Sequence, residues 1–254
     1  MSEIIDNRAH RVRTLKEIIK RLHAGEDPAA VKGRLAEIVQ QTDYSEIVAM
    51  EQELMAEGMP VEEVQSMCDL HSQVTREVLV QLPPQSVPAG HPVDTFRREN
   101  QAIQSVILNM RQAMAAIRQL PDDGPAGEPL LQWRKAFNDL MDIEKHYQRK
   151  ENALFPKLEA HGITGPSKVM WGKDDEIRAL LKDLGEALSQ QDATAAEWKL
   201  VAGTVADTAL AAIEEMIYKE ENILLPMSLN TLTEEDWAEV WLASPRFGWC
   251  LIEP

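Results

Sequence analysis

Apolar residues recur every three to four positions through most of the chain, and no stretch alternates with period two for long enough to argue a strand. In the first eighty or so residues the pattern breaks into four short helical segments. Leu15, Ile18, Ile19 and Leu22 form the first stripe, which Gly25 ends. Asp27 and Pro28 supply an N-cap and a proline at the first helical position of the second, whose apolar face holds Val31, Leu35, Ile38 and Val39. Thr42 or Asp43 caps a third segment through Ile47, Met50 and Leu54, closed by Gly58. The fourth runs from about Val61 to Leu79 and aligns Val64, Cys68, His71, Thr75 and Val78.

Pro83, Pro84, Pro88 and Pro92 then fall within ten residues, together with Gly90. Prolines lack the amide donor and push their neighbours toward extended geometry, so 83–92 reads as a linker between a small helical domain, 1–82, and a larger one, 93–254. The larger part carries four longer helical patterns. The first, near Val93 to Leu120, aligns Phe96, Asn100, Ile103, Ile107, Met110, Met114 and Ile117. The second, near Pro129 to Ala160, aligns Leu140, Ile143, Tyr147, Glu151, Leu154 and Leu158. The third, near Ser167 to Gln190, aligns Trp171, Asp174, Ile177, Leu181 and Leu184. The fourth, near Ala193 to Met227, aligns Leu210, Ile213, Ile217, Glu221 and Leu224.

An internal repeat ties these helices together. Glu151-Asn152-Ala153-Leu154-Phe155-Pro156 matches Glu221-Asn222-Ile223-Leu224-Leu225-Pro226 at an offset of 70 residues, and Leu140 and Ile143 match Leu210 and Ile213 upstream. Two helical hairpins of similar design, each unable to bury its own stripe, predict an antiparallel four-helix bundle and an all-α fold.

Composition narrows the function classes. With 26 basic against 42 acidic residues the formal charge is -16, which repels phosphate backbones and anionic lipid surfaces, so neither nucleic acid nor membrane is an expected partner. Two cysteines, Cys68 and Cys250, make no disulfide framework and suit a reducing compartment. No apolar run approaches the ~20 residues that cross a bilayer, and the acidic N-terminus lacks a signal-peptide core. Cytoplasm is the expected location.

The chemistry lies in polar residues on core stripes. Glu151 and Glu221 stand where the repeat demands a core residue, and two carboxylates buried near each other need a cation or hydrogen-bond donors. His146 flanks the Glu151 stripe, Met216 holds the matching place before Glu221, and Asn100 and Asp174 sit on the other two helices. His146, Glu151, Asp174, Glu221 and Asn100 are therefore the candidate metal ligands. His146 and Met216, on two different helices, form an alternative pair of axial ligands for haem. The competing reading is a salt-bridge network in which Arg149, Lys150 and Lys219 neutralise the glutamates. Cys68 and His71, three apart on one helix face, with His91, form a second candidate site.

At these residues a family resemblance becomes specific. The run from His146 to Pro156 resembles the second helix of the hemerythrin HHE cation-binding family, where His-x-x-x-Glu-Glu precedes Leu-Phe-Pro. Asp174-Asp175-Glu176-Ile177-Arg178 resembles the family's third helix, Met216 to Pro226 its fourth, and Asn100 to Ile103 its first. The N-terminal part, with Cys68-Asp69-Leu70-His71 and Gly90-His91-Pro92-Val93, is similar to domain of unknown function 438, which precedes such bundles and is often followed by a sensor domain. Hemerythrins hold di-iron through about five histidines and two carboxylates. In this chain Asn100, Asp174 and Met216 stand where the family places histidine, and Lys150 takes the nearer glutamate position. What remains is an oxygen-rich set with one imidazole, suited to iron, manganese or zinc.

The resemblance implies a metal- or cofactor-binding bundle that acts as a sensory or regulatory module for dioxygen, nitric oxide or redox state. The alternatives are a haem-binding bundle, a di-metal enzyme handling peroxide or nitric oxide, and a metal-free structural adaptor. The apolar run Ser244 to Ile252 reads either as a tail docked on the core or as the start of a following sensor domain or partner contact.

Overall fold

Among the residues that the computed structural model describes (10–14, 16–18, 20–21, 26, 50, 52–61, 64 and 85–253) there are helices and no strand. Cys68, His71, Pro83, Pro84 and most of the four N-terminal helical patterns lie outside the described residues. Contacts divide the chain into two compact units. The first gathers Met1–Ser86, Leu158–Lys173 and Tyr218–Leu232; the second gathers Val87–Lys157, Asp174–Ile217 and Thr233–Pro254. The segments 158–173 and 218–232 thus join the first unit, which the proline break alone does not foresee.

Helix α1, Pro92–Arg118, begins where the sequence offers both a cap and a stop to extended chain. His91 caps it, its Nδ1 accepting the Val93 amide at 3.1 Å, and Pro92 takes a first-turn position where a missing amide costs nothing. Asp94 adds a carboxylate to the first turn, favourable to the helix dipole, and accepts the Gly90 amide at 3.1 Å. Phe96, Ile103, Ile107, Met110, Met114 and Ile117 are all buried, as the stripe predicts.

The second sequence pattern is not one helix. It divides into α2, Gly127–Leu140, then α3, Ile143–Arg149, then α4, Phe155–Ala160. Helix α5 spans Gly165–Leu188. The fourth pattern gives α6, Ala195–Val201, α7, Asp207–Lys219, and α8, Leu225–Thr231. A further helix, α9, Glu234–Ala243, follows under a capping box formed by Thr233 and Asp236. At the opposite end of this unit Thr194 and Glu197 form a second capping box. There the Ala195 and Ala196 amides donate to the carbonyls of Gly124 and Asp122 at 3.0 Å, while buried Trp133 and Trp198 meet edge to face at 6.2 Å.

Among the described residues three wide π-helical turns interrupt the long helices: Lys150–Leu154, Ala202–Ala206 and Glu220–Leu224. The first and third occupy repeat-related positions, and a shared proline explains them. Pro156 and Pro226 lack an amide and crowd the carbonyl four residues back, so the preceding turn widens. Phe155 then donates to the carbonyl of Lys150, and Leu225 to that of Glu220, each five residues back. The asparagine common to both turns supplies an extra donor: Asn152 Nδ2 reaches the Gln148 carbonyl at 2.9 Å and Asn222 Nδ2 the Tyr218 carbonyl at 2.8 Å. In the Ala202–Ala206 turn, Thr204 and Thr208 hydroxyls bond to carbonyls four residues back at 2.8 and 3.0 Å, competing with the backbone ladder.

Candidate functional site

The wide turn after α3 lets adjacent side chains face inward together. His146, Tyr147, Arg149, Lys150 and Glu151 are all buried, a density of polar groups that an uninterrupted α-helix would spread around its circumference. Glu99 and Asn100 join them from α1 and Asp174 from α5, each at 0–1 % exposure.

Glu99 is the hub. Its Oε2 accepts from His146 Nδ1 at 2.8 Å and from Arg149 Nη2, and its Oε1 accepts the Cys250 amide at 2.7 Å. Burial alone would push this carboxyl up; the His146 hydrogen bond and then the Arg149 guanidinium outweigh it and hold Glu99 below the usual carboxylate range. An ionised Glu99 accepts only, so Nδ1 of His146 carries the proton, and the ring is further fixed edge-on against Phe96 with centroids 5.1 Å apart.

The other two buried carboxylates of this cluster also meet protein cations. Lys150 Nζ donates to Asp174 Oδ1 at 2.8 Å, with both side chains fully buried, and it lies 4.3 Å above the Tyr147 ring. Arg178 grips Glu151 with both forks, Nη1 to Oε1 at 2.8 Å and Nη2 to Oε2 at 2.9 Å, and its Nε reaches Glu144 at 2.9 Å. Burial would lower the Arg178 guanidinium, but these carboxylates raise it above its ordinary value. Glu99, Glu151 and Asp174 therefore each meet a protein cation, Arg149, Arg178 and Lys150 respectively, with Arg178 shared with Glu144 and Asp175. Among the described residues no three His, Cys, Asp or Glu side chains are grouped as a metal ion requires. The donors present do not fit a di-iron centre or a single divalent ion in this arrangement.

The sequence candidates thus separate. His146, Asp174, Glu151 and Asn100 are buried in the second unit. Glu221 belongs to the first unit, where the neighbouring Glu220, the repeat partner of Lys150, is the more deeply buried at 2 %. Met216 is buried in the second unit at 2 %. His91, the described member of the second candidate site, caps α1 and packs against Trp237 at 4.8 Å, while Cys68 and His71 lie outside the described residues. Glu99 is the residue that the sequence reading missed. It lies three positions after Phe96 and four before Ile103, so it shares a stripe with both, and that spacing is the signal that could have found it. Cys250 is a free, buried thiol whose pKa is pushed up by burial and by the nearby Glu99 and Asp142 carboxylates.

No described helix is long and apolar enough to cross a membrane. No characterised protein in the curated set matches the chain. Residues 15–81 match domain of unknown function 438, a family of unknown function, and residues 91–228 match the hemerythrin HHE cation binding domain. The second match spans more than half of the chain and covers the helical pieces that carry the buried cluster, so the protein belongs to the hemerythrin HHE cation-binding family, with a domain of unknown function 438 ahead of the bundle.

Proposed function

We propose that this protein is a metal-independent regulatory member of its family, in which side-chain cations take the place of the metal and the bundle serves as an adaptor for other domains or partners. One observation carries the reading: Lys150 Nζ bonds to Asp174 at 2.8 Å with both side chains at 0 % exposure. An ammonium in that position repels a divalent cation and consumes a carboxylate that would bind it. The pairings of Glu151 with Arg178 and of Glu99 with Arg149 support the same reading. On this reading the fold does not depend on an ion.

A second reading rests on the Glu99–His146 bond. Metal-ligating histidines commonly donate their other ring N–H to a carboxylate, as His146 donates to Glu99. On that reading His146 holds iron or another divalent ion together with Glu151, Asp174 and Asn100, and the bundle senses dioxygen, nitric oxide or redox state. It requires Lys150 and Arg178 to release their carboxylates.

Elemental analysis of untreated full-length protein, paired with thermal melts in iron, manganese, zinc and chelator, separates the two. The charge-paired reading expects well under one metal per chain and melting temperatures unmoved by either ion or chelator. Stoichiometric metal that is lost in His146→Ala would overturn it in favour of the second.

A further inference from the structure

Beyond the 3-10 turn Ser244–Arg246 the chain has no regular structure, yet four of its main-chain groups are held by charged side chains. Arg149 Nη1 donates to the Gly248 carbonyl at 2.8 Å, and Glu99 Oε1 accepts the Cys250 amide at 2.7 Å. Asp142 Oδ2 accepts the Leu251 amide at 3.0 Å, and Arg98 Nη2 donates to the Glu253 carbonyl at 2.9 Å. Two carboxylates take amides and two guanidiniums take carbonyls. This is how a groove captures an extended peptide, through its backbone and with charge-assisted bonds.

The seat is not a surface feature. Glu99 and Arg149 are at 0 and 1 % exposure, and the Glu99 carboxylate that receives the Cys250 amide is the one that fixes His146. The Cys250 side chain is itself fully buried beneath the segment. Leu251 has a φ of 59°, in the left-handed region that a branched side chain rarely adopts, so docking strains the segment and release relaxes it. Trp249 completes the attachment, tilted against Trp241 of α9 at 6.3 Å.

We propose that Gly248–Glu253 is a releasable strap seated on the Glu99–Arg149 pair, so that its docking and the fixed geometry of His146 are one coupled state. The inference rests on the charge-paired reading of the cluster, because a Glu99 held by protein cations is what makes the strap amide its third partner. Strap opening then becomes the visible output of any event that disturbs the buried cluster, and conversely anything that captures the strap loosens His146.

Native-state alkylation of Cys250, resolved from Cys68 by peptide mass spectrometry, measures opening in the full chain. Nitrogen-15 NMR of the histidine rings measures the cluster. Asp142→Asn with Arg98→Ala weakens the outer two strap bonds; because Asp142 also pairs with Lys145 and raises the Cys250 thiol, Arg98→Ala alone is measured beside it. The double variant is expected to speed Cys250 labelling at least tenfold, independently of low urea, with a melting temperature lowered by only about 3–6 °C and a shifted His146 signal. Glu99→Gln is expected to do the same more strongly; the Asp142/Arg98 variant decides the matter if Glu99→Gln does not fold. Labelling that rises only in step with global unfolding, or a His146 signal unmoved by the Asp142/Arg98 variant, would overturn the strap. A labelling rate that changes with added iron or chelator would instead count against the charge-paired reading while leaving the coupling standing, so the two ideas fail separately.

Discussion

Replacing Lys150 by methionine keeps most of the side-chain volume and removes one ammonium from the centre of the second unit. Asp174 then loses a partner at 2.8 Å in a place that solvent does not reach. At that separation the bare attraction is about 6 kcal/mol for an effective dielectric of ~20, but much of it offsets the cost of burying both charges. The net loss on breaking such a pair is roughly 3–5 kcal/mol. For a chain of this size each kcal/mol moves the melting temperature by about 2–4 °C, so Lys150→Met is expected to fall by roughly 6–20 °C. The double variant Lys150→Met with Asp174→Leu removes both charges of the pair, and should return to within about 2 kcal/mol of the original protein. A further arm ties stability to function. Without the ammonium, Asp174 becomes available to a divalent ion, so manganese or zinc at about 100 times its Kd should restore about 2.7 kcal/mol to Lys150→Met and nothing to the parent. Denaturant titration followed by far-ultraviolet circular dichroism reads all three. A loss below about 1 kcal/mol in the single variant, or an equal response of parent and variant to added ions, would refute the idea that Lys150 stands in for a metal.

The cap at His91 predicts a pH step. Burial lowers its imidazole below the ordinary value, against the pull of Glu234 and with help from Arg97, while Asp94 acts weakly the other way. Folded His91 is therefore the neutral acceptor for the Val93 amide; this stability is fully present above the unfolded value of about 6.5 and is lost as pH falls through the lower folded value. His91→Asn, which keeps a capping acceptor, should remove that step in pH-dependent melts, and His91→Ala should cost about 1 kcal/mol at neutral pH. At Gly185 a Cβ would lie 3.2 Å from Phe137 Cζ, so Gly185→Ala should forfeit most of the ~1 kcal/mol that alanine gains in a helix. Gly185→Leu should destabilise by about 1–3 kcal/mol, and a thermal melt showing the full alanine gain would mean that the Phe137 ring yields freely.

The fold was legible because the apolar stripes are long and the repeat is literal. Where the pattern misled, a local feature overrode the period. The second pattern reads as one helix because Leu140, Ile143, Tyr147 and Leu154 keep helical spacing, yet the chain breaks between Leu140 and Ile143 and widens after Arg149. Periodicity cannot register a turn of five-residue spacing, whereas Pro156 and Pro226, two residues beyond each wide turn, could have announced it. Helix α9 went unread because its moderate amphipathicity is spread over only ten residues, although Thr233 and Asp236 spell a capping signal.

The site was harder to read for a reason rooted in charge. A sequence shows that carboxylates sit on core stripes; it does not show which cation each one meets, because Lys150 and Asp174 are 24 residues apart and Arg178 and Glu151 are 27 apart. The same carboxylates can build a metal cage or a set of internal ion pairs, and the choice turns on where the ammonium and guanidinium heads end. Two features tip it here. The wide turn brings Lys150 inside beside Glu151 rather than leaving it on the rim, and Arg178, one helical turn after Asp174, is long enough to fold back onto Glu151 with both forks. Substituting an internal cation for a bound one also changes what the bundle can respond to. An ion is lost or gained with its concentration in solution, whereas Lys150 leaves Asp174 only if the helices themselves move. A bundle held in this way is suited to respond through conformation, which is the property that the strap over Glu99 makes measurable.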